Sequence, residues 1–157
     1  MAMKLPINVV FEEAFRRLLS YQSGKPLRLT DYTLSAPTVV TGRTDGNNTK
    51  VTVTPVKGNP FLKGPAWDIY YRRRDFAEVF TVTGADTTLR APLLAWLTND
   101  TNNIAVQLNA KLKTALRGTD ITVVPGLVVL NNLAPTVKIN ANNLCLFGQM
   151  KLTVIPL

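Results

Sequence analysis

The chain changes its hydrophobic period once, early and cleanly, and that change limits what it can fold into. In PINVVFEEAFRRLLSYQSGKP the apolar residues Ile7, Val10, Phe11, Ala14, Phe15, Leu18 and Leu19 recur at i, i+3, i+4, i+7 and so on, which places them in one stripe along an α-helix. Pro6 suits the first turn of that helix, and Gly24 with Pro26 suits its stop. Glu12 and Glu13 precede Arg16 and Arg17 by four residues, in the order that favours pairing on the wet side. From Leu27 onward the period is two. LRLTDYTL sets Leu27, Leu29 and Asp31 against Arg28, Thr30 and Tyr32, a short strand or extended segment closed by Pro37. KVTVTPV sets Val51 and Val53 against Thr52 and Thr54, with Pro55 marking an edge or a bulge. AWDIYYR sets Trp67, Ile69 and Tyr71 against Asp68, Tyr70 and Arg72. The last two segments read as an antiparallel pair whose core faces are the valines and the Trp67 row.

Further along, FAEVFTVT reads either as more sheet or as the start of a turn. APLLAWLTND reads as a short helix opened by Pro92, and Asp100 or Thr101 caps a second helix that carries Ile104, Leu108, Leu112, Ala115 and Leu116 to a stop at Gly118. TVKINA and QMKLTVIPL return to period two, with Val137, Ile139, Met150, Leu152 and Val154 on the apolar side; ANN and FGQ are turns. No repeat or linker divides the chain, so residues 1–157 are expected to form a single domain. Helices grouped between strand segments predict an α+β fold: an antiparallel sheet with an N-terminal amphipathic helix and a central helical pair.

Composition narrows the chemistry. The 157 residues include no histidine, so the commonest general base, the commonest metal ligand and any Ser-His or Cys-His nucleophile are missing. Cys145 is alone and sits in the apolar run LCLF, which predicts a small buried hydrophobe without a disulfide. The ten acidic residues are scattered, and Glu12 and Glu13 diverge by about 100° on a helix, so neither a hard-metal site nor an acid/base couple is spelled out. GRTDGNN and GNPFLKGP contain glycines but match no phosphate-binding pattern. An enzyme, a cofactor, a metal and a small-molecule substrate are therefore not expected. Nothing resembles an export signal or a stretch of about 18 apolar residues, so no membrane insertion is expected and the sequons at Asn47 and Asn99 carry little meaning.

Eighteen Lys and Arg against ten acids give a net charge of +8, spread from Lys4 to Lys151. The single run is DIYYRRRDF. Three readings of it stand: a solvated strand end; a subunit contact formed by Tyr70, Arg72, Arg73, Arg74 and Asp75; or a nucleic-acid site in which the three arginines hold phosphates while Tyr70 or Trp67 stacks on a base.

Several blocks together resemble virion structural proteins of large tailed bacteriophages. The amphipathic helix followed by LRLTDYTLSAP is one. NT-x-VTVT at Asn48, Thr49, Val51, Thr52, Val53 and Thr54 is another, and a glycine-containing loop leads from it to a strand ending in Tyr71, Arg73 and Asp75. The helix near LLAWL and the closing pattern at Ala141, Phe147 and Gly148 complete the likeness. It departs from that pattern in its extra arginines and in Asn59-Pro60, where a more glycine-rich turn is usual. The resemblance implies a non-enzymatic particle component of head, neck, tail or baseplate, made in the host cytoplasm and located in the virion. Its partners would be other virion proteins and copies of itself, with the corner at 72–75 and the loops at 43–48 and 58–64 as contacts. A basic nucleic-acid-binding module is the alternative, with nucleic acid the less favoured partner.

Overall fold

Helix α1 (Phe11–Ser23) buries Phe11, Ala14, Phe15 and Leu19 and ends at Gly24, whose left-handed φ of 65° lets its N–H and that of Lys25 close on the last carbonyls. Each large apolar side chain so buried contributes about 1.5–3 kcal/mol. The helix starts four residues later than the stripe suggests. Ile7 spends its carbonyl on the N–H of Ala115, so the chain leaves the helical path there and Pro6 lies outside it. The expected Glu12–Arg16 pair is replaced as well. Glu13 holds both Arg16 and Arg17, while Glu12 reaches Arg117 across the fold at 3.1 Å.

The structure is a computed structural model that describes residues 4–129 and 132–157. After α1 come β1 (Tyr32–Leu34), β2 (Thr38–Val39), β3 (Thr49–Pro55), β4 (Trp67–Tyr71) and β5 (Arg74–Asp75), then α2 (Phe76–Thr83), β6 (Thr88–Arg90), α3 (Leu94–Leu97) and α4 (Thr101–Leu112). The remainder is β7 (Ile121–Val124), β8 (Val128–Val129), β9 (Asn132–Leu133), β10 (Thr136–Ile139), β11 (Leu146–Phe147), β12 (Gln149–Lys151) and β13 (Thr153–Ile155). This is an α+β fold, with small and mainly antiparallel sheets.

Strand β3 is the spine of the first sheet. Val51 and Val53 are fully buried, as their alternation predicts, and pair with Ile69 and Trp67 of β4. Strands β1 and β2 lie along the other edge. The ring of Tyr71 meets that of Phe15 edge-on at 5.5 Å, which locks α1 onto this sheet. Two expectations fail here. Asp31 accepts from the N–H of Arg28 and folds residues 29–31 into a 3-10 turn, so Leu27 is buried as expected but Leu29 is exposed and Tyr32, from the opposite row, is buried. Trp67 opens β4 at the surface, 36% exposed, and only Ile69 and Tyr71 of its row reach the core.

FAEVFTVT is neither sheet nor turn but helix α2. The Asp75 carboxylate accepts from the N–H of Ala77, and Phe76 and Phe80 stack edge to face one turn apart. Capping by a residue that also ends a strand overrides the β-branched content of the segment. Helix α3 is a single turn that buries Trp96, whose Nε1 donates to Gln107 of α4 at 2.6 Å. Helix α4 is capped by Asp100 and stops at Leu112, well before Gly118. Asn109 draws the following chain off the helix by accepting from Thr114 and the N–H of Leu116. Gly118 is required for another reason: a Cβ there would lie 2.2 Å from the Asn102 side-chain oxygen.

Strands β7, β10 and β12 form one antiparallel sheet, and β6, β13, β9 and β8 form a mixed one. The alternating run QMKLTVI is divided between them at Leu152, whose N–H donates to Pro135. Strand β12 pairs with β10, whereas β13 runs parallel to β6 and antiparallel to β9. A second parallel pair joins β11 to β5. The buried side chains make one core reaching from Leu5 to Val154.

Candidate functional site

The run Arg72-Arg73-Arg74-Asp75 leaves the end of β4, and each residue takes a different task. Arg72 stays partly exposed and pairs with Glu78 at 3.3 Å, beside the Lys4–Glu78 pair. Arg73 turns inward and is 5% exposed. Arg74 enters β5, donates its N–H to Cys145 and pairs with Leu146. Asp75 caps α2. Tyr70, the ring expected beside them, lies under the guanidinium of Arg43, 4.0 Å from its centroid. The run therefore does not present three guanidinia to a phosphate chain, and Arg73 offers nothing to a neighbouring subunit because burial commits it to its own chain.

Arg73 is the centre of a polar knot. Its Nε donates to Thr49 Oγ1 at 3.1 Å, and its Nη1 donates to the carbonyls of Asn143 at 3.1 Å and Ala141 at 3.3 Å. Asn48 grips the same residue through the main chain, accepting from its N–H and donating to its carbonyl. The Phe147 ring faces the guanidinium at 5.7 Å, and a cavity of about 80 Å³ opens between Val39, Asn48, Thr49, Arg73 and Phe147. No carboxylate pairs with Arg73 among the described residues. Burial consequently pulls its pKa below the usual arginine value, although the group stays protonated throughout the accessible pH range. Beside it, Gly148 is fixed by geometry: its φ is 88°, and a Cβ would come within 2.9 Å of the Asp75 carboxylate.

Three of the sequence blocks quoted above meet at this knot. Asn48 and Thr49 come from NT-x-VTVT, Tyr71, Arg73 and Asp75 from the strand end, and Ala141, Phe147 and Gly148 from the closing pattern. What they share is a way of tying β3, β4, α2 and the 141–148 segment together. Asn143 also belongs to the knot. Its side-chain oxygen accepts from the N–H groups of Cys145 and Leu146, a role the spelling ANN does not reveal.

All ten acidic residues are engaged within the chain. Glu12, Glu13, Asp45, Asp68, Glu78 and Asp86 pair with cations. Asp31, Asp75, Asp100 and Asp120 accept from backbone N–H groups. Asp120 is the one carboxylate, among the described residues, that burial shifts upward. Cys145 is buried and its thiol is pushed up to about 12, so it holds its proton.

Hydrogen bonds from Arg16 and Arg17 hold Glu13 at about 2, against an ordinary value of 4.5. Asp45, Asp68 and Asp86 are lowered by their partners Arg43, Thr52 with Lys50, and Lys111. A carboxylate depressed in the folded state stabilises the fold above its unfolded pKa and loses that contribution as pH falls through the folded one. With no histidine in the chain, the urea midpoint should stay level between about pH 5 and 8 and then decline as these carboxylates protonate. The Glu13→Gln variant should show a shallower decline between pH 4.5 and about 2, as followed by urea titrations at stepped pH.

Fold and knot together define a small α+β protein whose most elaborate polar arrangement is structural rather than reactive. The chain belongs to a family of unknown function, DUF7941, whose model matches residues 11–157. No curated protein and no solved structure matches it.

Proposed function

We propose that the protein is a non-enzymatic structural component of a bacteriophage virion that works by packing against neighbouring subunits, copies of itself or other virion proteins. The observation that carries this reading is where exposed apolar side chains collect. The α3–α4 pair leaves Leu94 71%, Leu97 61% and Val106 64% exposed, and Leu94 lines an open cleft of about 350 Å³. The segment from Ile121 to Val137 contains no charged residue and exposes Val124, Leu127 and Val128. Side chains of this kind, held on rigid elements, suit contact with other protein surfaces. The motif likeness supports the phage setting, and the engaged carboxylates, the protonated thiol and the missing imidazole support a non-enzymatic role. At the 72–75 corner the members available for contact are Tyr70 with its Arg43 cover, and Arg72.

Mass spectrometry of purified particles should find the protein at fixed stoichiometry, and antibody-labelled micrographs should place it at head, neck, tail or baseplate. Leu94→Asp with Leu97→Asp should reduce incorporation at least tenfold, on the order of 1.4 kcal/mol or more, while leaving the melting temperature nearly unchanged. Wild-type incorporation of that double variant would remove the α3–α4 face as a contact. Absence of the protein from particles would overturn the reading as a whole.

A further inference from the structure

Four of the cations that no carboxylate pairs lie on segments that meet at one end of the molecule. Lys25 follows the last turn of α1, Arg28 opens the 3-10 turn, and Lys57 and Lys63 stand on the long connection from β3 to β4. All four are exposed, and none has a carboxylate partner among the described residues. Three contacts bring these segments together. The Asn59 side chain donates to Asp31 at 2.7 Å, the N–H of Val56 donates to the Asp31 carbonyl at 3.0 Å, and Leu62 and Trp67 line a small hollow with Leu19 and Leu27. Asp31 brings one negative charge to this end, and both of its oxygens are already bonded, to Asn59 and to the Arg28 N–H. The loop is folded on its own account, with Asn59 Oδ1 accepting from the N–H groups of Phe61 and Leu62. Between Lys57 and Lys63 it leaves an open cleft of about 530 Å³.

Aromatic faces are exposed at the same end. Tyr21, on the last turn of α1, is 88% exposed; Phe61, on the loop, is 42% exposed; Trp67 stands where the loop enters β4. A duplex would offer phosphates but hide its base faces. Unpaired bases on a phosphate chain use both the cations and the rings, since base–aromatic stacking and backbone neutralisation are independent contributions to single-strand binding.

We infer that this end, formed by the close of α1, the 28–31 turn and the 56–67 segment, binds single-stranded nucleic acid. Lys25, Arg28, Lys57 and Lys63 neutralise phosphates there, and Phe61 and Trp67 stack on bases. The site is separate from the arginine corner and does not depend on the protein being part of a particle.

The test is fluorescence anisotropy of the full chain with a labelled oligothymidylate of about 16 nucleotides, the duplex of the same length, and vesicles containing an anionic lipid. Single-strand affinity should exceed duplex affinity and fall roughly 20- to 50-fold between 50 and 200 mM salt, as expected if three or four phosphates are neutralised. Lys57→Ala with Lys63→Ala should weaken binding at least tenfold and reduce the salt slope by about 1.4. Phe61→Ala should weaken it roughly five- to tenfold with the slope unchanged, because stacking releases no counterions. Lys138→Ala with Lys151→Ala removes the same charge from the β10–β12 sheet and should change affinity less than twofold. Four results would each overturn the inference: equal loss in that control pair, equal duplex binding, no effect of Phe61→Ala, or binding to vesicles but not to the oligonucleotide. Circular dichroism of each variant establishes that it is folded.

Discussion

Arg73→Ala should be among the most damaging single substitutions in the chain, lowering stability by about 3 kcal/mol and the melting temperature by roughly 6–12 °C. Thr49 Oγ1 and the carbonyls of Ala141 and Asn143 would lose their donor inside the protein, and orphaned buried acceptors cost about 1 kcal/mol or more each. The lost volume would add to the cavity already present beside Phe147. Removing an uncompensated buried charge works in the opposite direction, but three unpaired acceptors outweigh it. Arg73→Lys should recover little, because one ammonium on a flexible stem cannot meet acceptors that diverge around a planar fork. Arg72→Ala, at the neighbouring position, should cost under about 1 kcal/mol because its bond to Glu78 is a partly exposed ion pair. Thermal and urea denaturation of the three variants would measure this. Similar losses at positions 72 and 73 would refute the knot as a distinct stabilising centre.

Trp96→Ala should cost a similar or larger amount, about 3–5 kcal/mol. The indole is 1% exposed and forms the whole inward face of α3, a helix too short to hold itself together. Its Nε1–H also satisfies Gln107, so truncation removes both the packing and the tie to α4. Leu94 and Leu97 lie on the outer side of the same turn, and shortening either to alanine should shift the urea midpoint very little. A denaturation series over positions 94, 96 and 97 would therefore separate the residue that builds the helical pair from those available to a neighbour. Equal sensitivity at all three would mean that the outer leucines are part of the core.

Periodicity made much of the fold legible where one face of an element alone decides its structure. Phe11, Ala14, Phe15 and Leu19 in α1, Val51 and Val53 in β3, and Val137 and Ile139 in β10 all face inward as their spacing requires. The failures come from polar side chains that redirect the backbone by bonding to it. Asp31 folds a turn out of an alternating stretch, Asp75 starts a helix in a β-branched one, and Asn109 ends α4 early. None of these has a periodic signature. The arginine run was legible as a singular feature but not as a set of separate tasks. Burial of Arg73 depends on acceptors some seventy residues away, which local spelling cannot disclose. The basic end was hidden for a related reason: its cations are isolated in sequence and come together only when Asn59 ties the loop to Asp31.

The division of QMKLTVI between two sheets has a consequence for biosynthesis. Strand β13 lies between β6 and β9, so the pairing that encloses Leu89, Leu133 and Val154 cannot form until residue 155 has cleared the ribosome exit tunnel. Until then β6 and β9 each have an unpaired edge and nothing native to meet it, and chaperone engagement should be greatest at that stage.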